Sequence, residues 1–139
     1  MKLHLFYIGK QRDPHANALA AEYTRRSERY IQSEMREIQP SRYDVWAKHA
    51  SASKILLDPA GKSYDSPKFS KLIGNAEVEA RDLVFVVGGA DGLPAGWRDR
   101  ADLLLSLSAM TFSHELARVM LAEQLYRALT MLRGHPYAR

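Results

Sequence analysis

The sequence predicts an α/β fold, a mostly parallel sheet flanked by helices, in one domain spanning residues 1–139. Three observations point there. Short apolar runs alternate with longer helix-forming stretches, the pattern of strands joined by crossover helices. The run Leu83-Val84-Phe85-Val86-Val87 is apolar without alternation, as a strand covered on both faces must be. Helix-start signals at Pro14, Ser66-Pro67 and Ser113 fall between the runs.

Taken in order, residues 2–8 are a strand of β-branched, aromatic and other apolar types closed by Gly9. Pro14 opens a helix whose body, rich in Ala, Leu, Glu and Arg, covers residues 16–30. Residues 34–39 form a weaker strand that Pro40 ends. Residues 41–53 show no long period and read as a short helix with loops. A strand over 54–57 runs into the turn-forming cluster Asp58-Pro59-Ala60-Gly61-Lys62. Ser66 as N-cap and Pro67 at the first helical position start a helix to about residue 80. The 83–87 strand leads into a glycine-rich loop, 88–94, and a short helix over 97–101. A buried strand over 103–107 follows, and Ser113 caps a last helix over 114–133, broken by Gly134-His135-Pro136.

Composition narrows the function. Apolar residues make up 46% and charged residues 26%, ordinary for a globular protein with a packed core. Cysteine is absent, which excludes disulfides, thiolate nucleophiles and Cys-type zinc sites and suits a cytoplasmic protein. No apolar run approaches the length of a membrane span. The net charge of +4, with basic clusters at Arg25, Arg26 and Arg29 and near the C-terminus, favours an anionic partner such as nucleic acid. No histidine pair has metal-ligand spacing, so no metal is expected. No serine sits in a nucleophile elbow, so hydrolysis has little support.

In a parallel sheet ligands bind outside the carboxyl ends of the strands. Three loops fall at such ends: 58–64, 88–94 and 108–114. The Gly88-Gly89…Gly92 loop lacks the spacing of a dinucleotide fingerprint or a Walker loop, and is either a ligand loop or a tight turn. The stretch Leu107-Ser108-Ala109-Met110-Thr111-Phe112 could wall an adenine and a methionine chain, or simply leave the sheet as core. His114 could touch a base or phosphate, or pack as a cap. The last helix is apolar over a broad arc, which fits either a dimer surface or a helix buried in its own chain.

Longer pieces carry a resemblance. Leu57-Asp58-Pro59-Ala60-Gly61-Lys62, Phe85-Val86-Val87-Gly88-Gly89-Ala90-Asp91-Gly92-Leu93, Leu105-Ser106-Leu107-Ser108-Ala109-Met110-Thr111, Leu121-Ala122-Glu123-Gln124-Leu125-Tyr126-Arg127-Ala128 and His135-Pro136-Tyr137 resemble the bacterial ribosomal RNA large subunit methyltransferase H family. That family belongs to the SPOUT class, methyltransferases with a C-terminal trefoil knot. The resemblance covers nearly the whole chain. It implies ribosomal RNA processing in the cytoplasm by a homodimer that uses S-adenosyl-L-methionine to methylate N3 of a pseudouridine in 23S rRNA of the 70S ribosome. It further implies cofactor contacts at Leu57, Gly89, Leu107, Ser108, Ala109, Met110, Thr111 and Phe112. A bulky residue at Gly89 is then expected to block the cofactor and spare the fold. His114, the nearest group to take the N3 proton, and Arg139, a substrate-binding cation, are the catalytic candidates.

Four departures from the family pattern stand out. Ala90 and Asp91 replace its usual Pro and Glu, and Ser113 and Glu115 replace prolines around His114. Ala138 stands where a tail histidine is usual. The stretch between the second and third strands is about fifteen residues short, so a flanking helix is expected to be reduced or missing. These departures motivate the alternative, a non-catalytic RNA- or ribosome-binding module on the same fold.

Overall fold

A computed structural model describes residues 1–138. Five strands, β1 (Lys2–Ile8), β2 (Gln32–Ile38), β3 (Ser53–Ser63), β4 (Leu83–Val87) and β5 (Leu103–Ser106), form one sheet in the order β2-β1-β4-β3-β5. Every neighbouring pair is parallel. The helices are α1 (Pro14–Ser27), α2 (Val45–Lys48), α3 (Ser66–Val78), α4 (Trp97–Arg100) and α5 (His114–Leu132), followed by a 3-10 turn at Pro136–Ala138. Among the described residues no helix is long and apolar enough to cross a membrane.

Side chains alternate across the sheet, so each strand feeds two cores. Leu3, Leu5, Leu83, Phe85 and Val87 point to one side, where α1, α3 and α5 close over them with Ala20, Ile73, Leu121 and Leu129. Phe6, Val84 and Val86 point to the other, where Val45 of α2 and Trp97 of α4 lie. β4 is buried at all five positions, which explains its unbroken apolar run.

The structure moves several expected boundaries. α1 stops at Ser27, whose hydroxyl bonds the Tyr23 carbonyl, and residues 28–30 turn toward β2. α3 is capped by Asp65, which accepts from the Lys68 amide at 2.8 Å. Ser66, the expected cap, instead donates to Gln124 Oε1 on α5 at 2.8 Å. β3 does not end at Leu57. It bulges over 58–61 and rejoins β5 in a shifted register, Leu57 and Lys62 both facing Leu105. Gly61 makes that return possible, because a Cβ there would lie 2.5 Å from the Leu104 carbonyl oxygen. The short middle segment yields one helical turn, α2, capped by Asp44.

α5 resolves the question its broad apolar arc raised. It packs on α1 and α3 as well as on the sheet, so most of that arc is buried within its own chain. What stays open is Leu132 at its end and, near its start, Leu116 and Met120, one turn apart and 48% and 44% exposed.

Candidate functional site

The carboxyl ends of β3, β4 and β5 open into one cleft of about 580 Å³. Three loops wall it. The first is the β3 bulge, with Leu57, Asp58 and Pro59; the second is 88–93; the third is 107–113, leading into His114 and Ala117 of α5. The volume lies in the range of sites for small molecules.

Each wall is held by local chemistry. Asp58, buried, accepts from the Ala60 amide at 2.8 Å and so curls the bulge. Its other oxygen takes Arg98 Nε of α4 at 2.8 Å, which ties the bulge to the far bank of the cleft. In the second loop Gly92 donates its amide to Gly89 O, closing a turn with Gly92 at φ +80°. In the third, the Ser108 hydroxyl accepts from the Met110 amide at 3.0 Å, and the Ser106 hydroxyl donates to Ser108 O. Ser113 caps α5 by accepting from the Leu116 amide, which places His114 at the helix start, facing the cleft.

The structure therefore gathers Leu57, Gly89, Leu107, Ser108, Met110, Thr111, Phe112 and His114 around one space. Ala109 does not line it, since the Ser108 turn carries it past the cleft. Arg139 lies outside the described residues. The expectation for Gly89 needs correcting. A Cβ on Gly89 would lie 2.9 Å from the Ile8 carbonyl oxygen, so it would strike the end of β1 rather than a ligand. Glycine is required there because two strand ends approach closely. A bulky substitution disturbs the scaffold along with the cleft.

Chemically the cleft is an apolar slot with polar edges. Leu57, Leu105, Leu107, Met110 and Phe112 supply the apolar walls, and Met110 is 75% exposed on the rim. Asp91 lines the cleft without an ion-pair partner among the described residues. Such a site suits a molecule with a flat apolar end and a cationic end.

Sequence reasoning missed one residue that lines the cleft. Arg98 was not singled out, and only the fold brings it to Asp58. Arg118, counted among the basic residues, is 1% exposed and lies over the Tyr7 ring at 3.9 Å. Its Nε and Nη2 are buried without a hydrogen-bond partner among the described residues. Its burial against Tyr7 is set by the fold alone. Arg25 and Arg26, part of the basic cluster expected to favour an anionic partner, both reach Glu22. The Arg25 hydrogen bond holds the Glu22 carboxyl below its usual range. The tail is docked rather than loose: Tyr137 packs edge-on against Tyr126, and burial with a Tyr23 hydrogen bond pushes its hydroxyl up to about 12.

Comparison with known proteins agrees with this geometry. A family described as "Predicted SPOUT methyltransferase" matches residues 1–138. The ribosomal RNA large subunit methyltransferase H of Solibacter usitatus is 61% identical over 139 residues, covering all of both chains. The protein of that name from Laribacter hongkongensis is 35% identical over 155 aligned positions, covering all of this chain and 99% of its own. The Allorhizobium ampelinum protein of that name is 56% identical over 86 residues, 61% of this chain and 54% of its own. The Solibacter protein is matched over its whole length in the same 139 residues, so the short middle segment is not peculiar to this chain.

Proposed function

The chain belongs to the SPOUT methyltransferase family, and we propose that it methylates N3 of a pseudouridine in 23S ribosomal RNA on the assembled 70S ribosome. It is an S-adenosyl-L-methionine-dependent methyltransferase. The observation that carries the site assignment is the convergence of three loops on one apolar cleft at the carboxyl ends of β3, β4 and β5.

The residues present fit the cofactor. Leu57, Leu107, Met110 and Phe112 offer apolar walls for an adenosine and a thioether chain, and the exposed Met110 and Phe112 leave apolar surface for it to cover. Asp91 offers a carboxylate to a cationic end. When bound, S-adenosyl-L-methionine supplies an electrophilic methyl group. The protein's part is to hold the base in line and to accept its N3 proton. A nitrogen of the His114 ring, at the mouth of the cleft, is the proton acceptor in this reading, and Arg139 binds the substrate. No metal is needed for this step.

Three further features belong to the same reading. The chain is one domain, residues 1–139. On this reading its C-terminal half is a trefoil knot, in which α5, packed against α1 and α3, threads a loop of the chain. The active unit is a cytoplasmic homodimer, in which the exposed Leu116 and Met120 meet a second copy.

Calorimetry with S-adenosyl-L-methionine tests the site. The wild-type protein binds one molecule per chain. Met110→Arg, at an exposed position, weakens binding by about tenfold through lost apolar contact and repulsion of a cationic ligand. Unchanged affinity in that variant contradicts the assignment.

A further inference from the structure

A second hollow, of about 380 Å³, lies between residues 40–46 and α4. Both tryptophans of the chain line it. Trp46 donates Nε1 to the Arg100 carbonyl at 3.1 Å and meets Trp97 edge-on, ring centroids 5.0 Å apart. These two contacts fix the plane of the Trp46 indole. The Arg100 guanidinium then lies over that ring, 4.3 Å from its centroid. Tyr43, in the same wall, carries Arg36 at 4.7 Å and Lys48 at 5.2 Å from its ring.

The charges here are unspent. Arg36, Arg42, Lys48 and Arg100 are all exposed, and none is ion-paired among the described residues. Arg98, on the same short helix, is by contrast committed to Asp58. The one acid in the lining, Asp44, is occupied in capping α2. A planar guanidinium held on an aromatic ring keeps its outer face free for a base and its edges free for phosphate. Fixed aromatic–cation platforms with loose cations beside them are how proteins hold unpaired nucleotides.

Position supplies the rest. α4 is a single turn, yet Arg98 lines the methyl-donor cleft while Trp97 and Arg100 line the hollow. Whatever fills the hollow therefore borders whatever fills the cleft. We propose that the hollow receives an unpaired RNA nucleotide neighbouring the one methylated, its base on the Arg100–Trp46 platform and its phosphate on Arg42 and Lys48. This inference rests on the reading of the chain as an rRNA methyltransferase and adds a flanking-nucleotide site to it.

Because the only tryptophans lie in the hollow, their emission reports on it directly. The experiment titrates the full chain with short single-stranded RNA, free of protein and without cofactor, following tryptophan emission and, in parallel, anisotropy of labelled RNA. Saturable quenching that tracks binding is expected. Trp46→Ala should weaken binding by roughly 5- to 100-fold, and Trp46→Phe should restore most of it. Arg42→Gln and Lys48→Gln, both at exposed positions, should each lower the slope of log affinity against log salt by about one. RNA binding with unchanged emission, or unchanged affinity and salt slope in the two charge variants, overturns the proposal. Emission that responds to ribosomal proteins and not to RNA overturns it in favour of a protein partner. No turnover enters the assay, so a chain that binds RNA here but methylates no ribosome refutes the methyltransferase reading alone.

Discussion

The two faces of the sheet are covered very unequally. On one side α1, α3 and α5, of 14, 13 and 19 residues, close over Leu5, Phe85 and their neighbours. On the other, two four-residue helices and their loops lie over Phe6, Val84 and Val86. The thick face is built of long helices whose aliphatic side chains pack with rings such as Phe69 and Phe85. The thin face is built of Tyr43, Trp46, Trp97, His4 and His49, large rings with polar edges. The difference separates scaffold from surface: one face secures the fold, and the other keeps aromatic and basic groups near the cleft.

Equal truncations should expose that difference. Leu129→Ala on the thick face and Leu56→Ala on the thin one both remove a fully buried leucine. Urea unfolding should place Leu129→Ala near the upper end of the roughly 2–5 kcal/mol range for such changes. Leu56→Ala should fall near the lower end, because loops settle into a cavity more readily than three packed helices do. The reverse order would break the comparison.

A smaller effect is expected where the faces meet the cleft. Gly61→Ala forces a Cβ toward the Leu104 carbonyl, so β3 and β5 must part. The predicted loss is about 1–3 kcal/mol, with weaker S-adenosyl-L-methionine binding in the same protein. Full stability with full affinity would show that the β3 bulge does not shape the cleft.

How much of this was legible follows the same division. The all-apolar β4 and the Pro14 and Ser113 signals around α1 and α5 speak through local chemistry, and those elements stand close to where the sequence places them. The thin face gave little sign because a four-residue helix has no period to detect. The β3 bulge was read as a chain turn, since Asp58-Pro59 and Gly61 look alike in either setting. Likewise the cleft loops were visible as three breaks in the apolar runs, whereas the settings of Arg98 and Arg118 depend on partners far away in the chain, Asp58 and Tyr7.

Proton uptake should sharpen the contrast. Burial first, and then the neighbouring His4, holds the His49 imidazole below its usual 6.5, with Arg36 adding to the effect and Glu34 and Asp82 opposing it. The unfolded chain thus binds this proton more readily than the folded one. Stability is full above about pH 6.5 and declines as pH falls from there through the lowered folded value. His49→Gln should flatten that decline in thermal midpoints taken across the range; an unchanged profile would place acid sensitivity elsewhere. Least affected should be Arg133→Ala, which removes the partly exposed pair to Glu77 on the thick face. Its predicted cost is at most about 1 kcal/mol, read by the same unfolding assay. A larger loss would mean that this face relies on more than apolar packing.

The most direct test of the central claim is transfer of a tritiated methyl group from S-adenosyl-L-methionine to 70S ribosomes from a strain lacking the modification. The account predicts label in 23S RNA, recovered after digestion as a single N3-methylated pseudouridine, with transfer at limiting cofactor lowered about tenfold by Met110→Arg. Ribosomes that stay unlabelled, although the wild-type protein binds S-adenosyl-L-methionine, would contradict it and leave a binding module in its place.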